Sequence, residues 1–520
     1  MPESWAPSLL CLGLPLVGAI AISLLPDRMA RSLSMLAMLA VLALSLQIFL
    51  AYDAATDPAL FDFNLPWMPS LGINLHLGID GFNIYLLLLS ALLFPVVLAC
   101  TWTSAESRRP LYLALMLILE ASLLGTFLAQ NLLLFFVFWE AVLIPMGVLI
   151  LVFGGGQRRP AAMAFFLYTL AGSVLLLAAV IALGAECLRQ TGSWSFELTI
   201  LYGLRLDPSM QLLVFVAIML ACAVKCPLVP FHSWLPLAYY EAPPAASALM
   251  AGALSKMGAF GILKLALPFA PDVAPAAAPY MVWLAVASIL YGAILALREE
   301  NYKRLVAYSS LSHMGYIVLG LFSFQQTAIH GSMLQMLSHG VAVAGLFLLL
   351  GMLEQRCGSA YRQVTALAIA APRLAVLLML FVLTSVALPL TSGFTAEFLI
   401  LLGAFTQGLA AWGAGSGAGL LIAALLASSG MILGAAYMLR FARAILFDSS
   451  DRAPAVRDLR LGEMTPFAAP LLLILWIGIA PGTIMSKAQG VASQLVQAAA
   501  TVEPRPAAPA IASVWSGHGK

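Results

Sequence analysis

Long, uninterrupted apolar runs recur along the whole of this 520-residue chain. A helix that crosses a lipid bilayer needs about 20 consecutive, mostly apolar residues. The runs lack the apolar–polar alternation of membrane β-barrel strands, so each run predicts a helix. Fourteen spans, numbered 1 to 14 in this order, are predicted at 8–25, 30–51, 80–103, 110–129, 131–153, 160–187, 209–229, 242–267, 278–297, 302–323, 328–352, 374–406, 417–447 and 466–485.

The composition agrees with a membrane protein. Hydrophobic residues make up 62% of the chain and charged residues only 9%, whereas soluble domains carry about 25% charged residues. The predicted fold class is therefore an all-α polytopic membrane protein. The net charge of +2 gives no reason to expect a nucleic-acid partner. Span 1 lacks the basic flank of a cleaved signal peptide, so we expect it to be retained.

The charges in the loops predict an orientation. Lys and Arg are enriched in cytoplasmic loops of membrane proteins. Seventeen of them follow odd-numbered spans, and five lie on the opposite side. Both termini are therefore expected to face away from the cytoplasm. The tail 501–520, rich in Pro and Ala, is predicted to be disordered.

Four ionisable residues lie in the middle of predicted spans: Glu140, Lys225, Lys256 and Glu397. A charged side chain costs at least about 2.5 kcal/mol at the bilayer centre, and such residues usually mark ion or proton pathways. Four such costs, of mixed sign, favour a function over simple packing.

Other polar residues in the spans have simpler alternatives. His313 and His339 could each be hydrogen-bonded packing residues. Lys264 lies near a helix end, where its side chain could extend to the membrane surface. Glu120 could be an isolated hydrogen-bonding group between helices. We therefore expect mainly structural roles for Lys264 and Glu120.

Two spans are predicted to be broken. Proline removes an amide hydrogen and its ring clashes with the carbonyl four residues earlier, so Pro227 and Pro230 predict a break just after Lys225. Pro389 and the Thr-Ser-Gly triplet at 391–393 interrupt span 12 just before Glu397. Interrupted helices in the two halves of a chain are typical of inverted-repeat transporters with a site near the bilayer midplane.

These residues could move protons. An apolar environment weakens the hold of lysine on its proton, and a nearby carboxylate strengthens it. A Glu140–Lys225 pair would thus keep the lysine charged, and its separation would release the proton. No cofactor-binding, metal-binding or redox motif is identified. The glycines at 154–156 lie between two spans, without the strand and helix of a phosphate loop. Cys222 and Cys226 are interpreted as packing residues.

Several motifs resemble the antiporter-like subunits of respiratory complex I, and among these the M type. They are FFVFWEAVLIPMGVLI, KCPLVPFHSWLP, EAPPAASALMAGALSKMGAFGILK, VAYSSLSHMGYIVLG, QMLSHGVAVAGLFLLLG and SGFTAEFLIL. The resemblance extends from about residue 70 to 445. It implies fourteen core helices with two inverted five-helix repeats.

The resemblance also implies a division of the chain and a set of site residues. Spans 1–3 fall in 1–109, the two repeats in 110–267 and 268–447, a loop with span 14 in 448–500, and the tail in 501–520. The implied charge pair is Glu140 with Lys225. The implied proton relay also contains Lys256, His313, His339 and Glu397.

The implied function is proton translocation in a bacterial inner membrane, coupled to NADH:quinone oxidoreduction in other subunits. The expected partners are neighbouring antiporter-like subunits, lipid and protons, without a cofactor in this chain. Glu397 favours the M type, because sibling subunits and sodium/proton antiporter subunits usually carry lysine there. The chain departs from the family at Leu237 and Tyr239, where Asp and His are usual, and at Asn131, where Asp is common.

Three alternatives remain open at this point. The chain could belong to a multi-subunit cation/proton antiporter that works without redox partners. It could be a membrane subunit of an energy-converting hydrogenase. It could also be a structural scaffold whose charges only hold helices together, although the predicted broken helices argue against this.

Overall fold

A computed structural model of the chain describes residues 7–24, 26–52, 61–102, 108–358, 364–448 and 456–500. Within these residues it confirms an all-α membrane fold with fourteen helices long and apolar enough to cross a bilayer. The predicted tail 501–520 lies outside the described residues. Spans 1 to 14 are Pro7–Leu24, Met29–Ala51, Asn83–Cys100, Arg109–Leu128, Leu132–Phe153, Arg158–Thr191, Pro208–Lys225, Pro244–Ala266, Val273–Arg298, Tyr302–Phe322, Gln326–Cys357, Ser392–Gly413, Gly419–Leu446 and Leu461–Ile479.

Spans 8 and 11 form the interior of the bundle. Their most apolar windows are completely buried, and those of spans 3 and 10 almost completely. In spans 1, 2, 13 and 14, fewer than half of the residues in the corresponding stretch are buried. A polar residue on span 8, 10 or 11 therefore faces other helices rather than lipid.

Span 7 breaks where the prolines predict. It ends at Lys225, and a short helix, Leu235–Glu241, begins only after nine irregular residues. The amide of Leu228 donates to the carbonyl of Ala223 across the break (2.9 Å), which satisfies one of the carbonyls that the helix leaves free. Lys225 is thus the last residue of a helix that stops inside the protein.

Span 12 is divided in a similar way. The predicted run 374–406 forms two helices, Pro372–Ser385 and Ser392–Gly413. Between them, Ala387 and Leu390 have φ angles of 60° and 74°, a region that residues other than glycine seldom adopt. Glu397 lies in the second turn of the second helix.

Two further helix irregularities lie beside charged residues and were not predicted. Span 5 is interrupted at Val142, between the helices Leu132–Ala141 and Leu143–Phe153. Pro145 explains this, because its ring opposes the carbonyl of Ala141. In span 8, two π-helical segments, Met250–Leu254 and Ile262–Ala266, flank the turns that carry Lys256. Such segments are often found at functional sites.

A β-hairpin precedes span 3 and was missed by the sequence analysis. Strands Phe63–Met68 and Ile73–Leu77 pair antiparallel, and Gly72 between them has a φ of 62°, which glycine adopts without strain. Leu77 also forms a β-bridge with Ala129 at the end of span 4. The hairpin therefore packs against the same end of the bundle as the loops that follow spans 4 and 6.

The remaining elements are short or peripheral. The last described helix, Gly482–Ala500, follows span 14; the ammonium of its Lys487 donates to the carbonyl of Tyr52. The predicted span 466–485 combined the end of span 14 with the start of this helix. Other short helices lie at Pro69–Leu71, Leu198–Leu201 and Leu367–Ala370.

Candidate functional site

Lys256 and His339 form a buried contact between spans 8 and 11. The Lys256 Nζ atom lies 2.8 Å from His339 Nδ1 and 2.6 Å from the carbonyl oxygen of Ala251. Ala251 belongs to the first π-helical segment, and the Lys256 side chain is completely buried. A charged lysine donates, so it requires a neutral His339 with its hydrogen on Nε2.

His313 and Glu397 form the second contact, between spans 10 and 12. His313 Nδ1 lies 2.8 Å from Glu397 Oε1. The side-chain amide of Gln335, on span 11, donates to the same oxygen (3.0 Å). All three residues are buried. Glu397 therefore has a titratable partner and an amide donor that stabilises its charged form.

The two contacts join into one row. The rings of His313 and His339 lie 5.2 Å apart between centroids. The Nε2 atoms of both rings are buried and lack a hydrogen-bond partner within the described part of the chain. Buried polar atoms usually pair with protein or with ordered water. Lys256, His339, His313 and Glu397 thus form one row of titratable side chains.

Lys225 contacts Trp139 rather than Glu140. Its ammonium donates to the Trp139 carbonyl (3.4 Å) and lies 4.9 Å from the centroid of the indole ring. No ion pair joins it to Glu140 among the described residues, so the expected direct pair is not formed in this structure. Successive residues of a helix point about 100° apart, which places Glu140 on a different face from Trp139. Glu140 is the residue after Trp139, whose carbonyl accepts from Lys225.

Glu140 faces the edge of the bundle. Its side chain is half-buried, and one carboxylate oxygen is buried without a partner in the described structure. On the same helix face, Val137 is 42% exposed and Ile144 is 67% exposed. A carboxylate at such depth is costly next to lipid.

Two glycines within span 8 allow the end of span 7 to approach it closely. A Cβ atom on Gly258 would lie 2.7 Å from the Cys222 carbonyl oxygen and from Cys226 Cβ. A Cβ atom on Gly261 would lie 2.7 Å from Cys222 Sγ. The cysteines are buried and free, in agreement with their interpretation as packing residues. This close approach places the break after Lys225 beside the helix that carries Lys256.

Lys264 and Glu120 have surroundings that differ from the alternatives suggested by the sequence, while their expected structural roles stay predictions. Lys264 does not extend to the surface: its buried ammonium pairs with Asp80 Oδ2 (2.5 Å) and donates to Gln130 (3.0 Å). Glu120 is completely buried, and neither carboxylate oxygen has a hydrogen-bond partner among the described residues. The neighbours of Lys264 come from loops that are distant in sequence, so spacing could not show them.

A polar cluster at the hairpin explains Asn131. Its side-chain oxygen accepts from the Leu134 amide (3.3 Å) and begins span 5, while its amide donates to Glu197 (3.0 Å). His76 bridges Glu197 (2.5 Å) and Asp62 (2.9 Å). Burial alone would lower the pKa of His76, but the hydrogen bonds and charges of these two carboxylates raise it to about 9. An aspartate at 131 would add a third carboxylate there, so asparagine fits.

The other two departures lie beside the broken end of span 7. Leu237 is half-buried and packs against the apolar core. Tyr239 is completely buried, and its hydroxyl has no hydrogen-bond partner in the described residues. No group of three or more His, Cys, Asp or Glu side chains within the described ranges could hold a metal ion.

Comparison with known proteins identifies a family and close relatives of similar length. Residues 129–421 match the family model described as "NADH:quinone oxidoreductase/Mrp antiporter, TM". NADH-quinone oxidoreductase subunit M of Rickettsia typhi is 35% identical over 487 residues, which cover 91% of this chain and 95% of that protein. NADH-ubiquinone oxidoreductase chain 4 of Arabidopsis thaliana is 35% identical over 490 residues, 93% of this chain and 95% of that protein.

A solved structure shows the same arrangement of helices. One chain of respiratory complex I from Thermus thermophilus with bound NADH superposes with a TM-score of 0.83 at 33% sequence identity. The superposition covers 95% of this chain and 99% of that chain.

Proposed function

Because the chain belongs to the NADH:quinone oxidoreductase/Mrp antiporter family, we propose that it conducts protons across the membrane through the buried row Lys256–His339–His313–Glu397. It is a multi-pass membrane subunit of the M type, part of the enzyme complex NADH:quinone oxidoreductase. Its proton translocation is coupled to redox chemistry that other subunits of the complex carry out. The antiporter and hydrogenase alternatives are not favoured, since relatives at 35% identity are subunit M and chain 4.

The single observation that supports this route best is the continuity of the row. Two contacts of 2.8 Å, Lys256 with His339 and His313 with Glu397, are joined by rings 5.2 Å apart. Each member can gain or lose a proton, and four different spans supply them. A scaffold would need hydrogen bonds only, and would not leave the Nε2 atoms of two neighbouring histidines buried without protein partners.

Lys225 and Glu140 would supply protons to this row. Lys225 ends a broken helix that packs closely against span 8 at Gly258. A change in the distance between Glu140 and Lys225 would change how strongly the lysine holds its proton. The kinks at Val142 and after Lys225 are the places where such a change could occur without unfolding a helix.

The exposed face around Glu140 supports a neighbouring membrane subunit as partner. Val137 and Ile144 flank the carboxylate on this face, and a neighbouring subunit that covers them would remove the carboxylate from lipid. The two broken spans support the division into repeats 110–267 and 268–447, because each is the fourth helix of its five-helix set.

The proposed route can be tested with Lys256→Met in membrane vesicles that carry the whole complex. Methionine keeps most of the side-chain volume and removes the titratable group. We expect NADH-driven proton uptake to fall strongly. NADH oxidation with a water-soluble electron acceptor in place of quinone, which reports assembly, should be retained. Lys487→Met, in the last helix, is the matched control. Wild-type proton uptake by an assembled Lys256→Met complex would exclude this row as the route.

A further inference from the structure

Tyr239 lies in the short helix that follows the break in span 7, on the side of the protein rich in basic loops. The carbonyl of Glu241 in this helix accepts from the Gly155 amide (2.8 Å), and its carboxylate accepts from the Gln157 amide (2.8 Å). The guanidinium of Arg304 lies 4.9 Å from the ring centroid of Tyr240. This side is cytoplasmic in the predicted orientation.

The ring of Tyr239 points inward. Its centroid lies 6.1 Å from that of Trp234 and 5.6 Å from that of Phe347, edge to face in both cases. Trp234 donates to the carbonyl of Val224, next to Lys225 (3.2 Å). Phe347 follows His339 by eight residues on span 11, roughly 12 Å further along the helix. The ring is therefore wedged between the broken end of span 7 and the helix that carries His339.

The hydroxyl of Tyr239 is the unusual feature. It is sealed from solvent and has no hydrogen-bond partner among the described residues. Leaving a buried hydroxyl unpaired is destabilising, and phenylalanine would avoid this cost with the same packing. A buried polar atom without a protein partner is usually satisfied by water.

The ring of Tyr239 is close to the end of span 7. It packs against Trp234, which donates to the carbonyl of Val224, the residue before Lys225. Cys226 follows Lys225 directly and packs against Gly258, two residues beyond Lys256. A water molecule on the hydroxyl would thus lie at the junction between the two lysines, on their cytoplasmic side.

We propose that the Tyr239 hydroxyl holds a water chain that brings protons from the cytoplasmic side to Lys225 and Lys256. The hydroxyl gives its proton to a water on the inner side as it takes one from a water on the outer side. One O–H bond breaks as another forms, and the inner water passes a proton to a neutral lysine amine. Tyr239 is unchanged at the end. This proposal rests on the proton route proposed above and assigns its entry.

The test compares Tyr239→Phe with Tyr240→Phe and Lys256→Met in vesicles that carry the whole complex. Tyr239→Phe removes only the hydroxyl and keeps the packing against Trp234 and Phe347. We expect its NADH-driven proton uptake to fall to the level of Lys256→Met, with wild-type thermal stability. Tyr240→Phe should behave as wild type. Tyr239→His, which returns a ring with polar nitrogens, should recover uptake relative to Tyr239→Phe.

The outcomes separate this proposal from the function on which it rests. Wild-type uptake in Tyr239→Phe, with uptake lost in Lys256→Met, would overturn the role of Tyr239 and leave the proposed route intact. Wild-type uptake in both would overturn the route and the entry together. Equal loss in Tyr239→Phe and Tyr239→His would also overturn the proposal, because a polar group on the ring would then fail to restore proton uptake.

Discussion

The Nδ1 atom of His313 lies 2.8 Å from a carboxylate oxygen of Glu397, and these two residues are 84 positions apart in the sequence. Span 10 and the second half of the broken span 12 supply them. Glu397 is thus the last residue of the buried row that begins at Lys256.

The contact predicts a graded response at Glu397. Glu397→Gln removes the charge and leaves His313 without an anionic partner, so we expect proton uptake by the complex to fall strongly. Glu397→Asp keeps the charge but shortens the side chain by one methylene group, so an intermediate rate is expected. Vesicle proton uptake per NADH measures both. Glu300→Gln, an exposed acid, is the control. Equal uptake in wild type and Glu397→Gln would show that this end of the row carries no protons.

The approach of spans 7 and 8 at Gly258 predicts a steric effect. In Gly258→Ala the new methyl group would overlap backbone atoms of Cys222 and Cys226, at 2.7 Å. Overpacking of this kind costs about 1–3 kcal/mol, and it would push Lys225 away from span 8. We expect lower thermal stability and slower proton uptake. Gly147→Ala, in a helix where a Cβ meets nothing within 4 Å, should be neutral. A neutral Gly258→Ala would mean that the helices separate without cost.

His76 predicts a pH-dependent stability of the hairpin. Its pKa is raised to about 9 from 6.5, so the stabilisation is complete below about pH 6.5 and is lost as the pH rises through about 9. The upper limit is about 3 kcal/mol, and solvent screening at the partly exposed Asp62 lowers it. The unfolding temperature of wild type should exceed that of His76→Gln at pH 6 and approach it near pH 10. A constant difference would contradict the prediction.

The membrane spans were predictable because each depends on local sequence. An apolar run of about 20 residues has few alternatives to a membrane helix. The break after Lys225 was equally predictable, since Pro227 and Pro230 act on carbonyls four residues away. The hairpin at 63–77 was not predicted, because its sequence pattern, the alternation in INLHL before GID, is weaker than that of the membrane spans.

The contacts of the site were less predictable than its residues. The charged residues in the middle of spans can be recognised from the sequence because burying a charge in a membrane is costly. Their contact partners depend on how the helices rotate and where they bend. Lys225 faces Trp139 rather than Glu140 because successive residues of a helix point about 100° apart. Lys264 pairs with Asp80, which lies in a loop distant in the sequence, and no spacing rule predicts this contact.

The orientation of the chain stays a prediction that fusions can test. The described residues contain fourteen spans, an even number, so we expect both ends of the chain on one side, and the basic loops favour the cytoplasm for the opposite side. A reporter that is active only in the cytoplasm should be inactive when fused at Lys520 and active when inserted at Gly156. The reverse pattern would invert the topology and move Tyr239 to the outer side.

The last prediction concerns the relation between Glu140 and Lys225. They form no ion pair in this structure, but Lys225 donates to the carbonyl of Trp139, the residue before Glu140. Lys225→Ala removes the proton carrier, so we expect most proton uptake to be lost. Glu140→Gln leaves Lys225 without its counter-charge. Lys225 should then regain a proton less readily, and proton uptake should fall as well.

If the two act as a unit, Glu140→Gln should add little to the loss already caused by Lys225→Ala, and the effects should be strongly non-additive. Glu140→Asp should keep partial uptake, because the charge survives and only the reach is lost. The measurement is NADH-driven proton uptake in vesicles that carry each single variant and the double variant, with assembly checked by NADH oxidation with a water-soluble acceptor. Independent, additive losses would mean that Glu140 serves another step, such as contact with a neighbouring subunit across its exposed face. Wild-type uptake in an assembled Glu140→Gln complex would rule out control of Lys225 by this carboxylate.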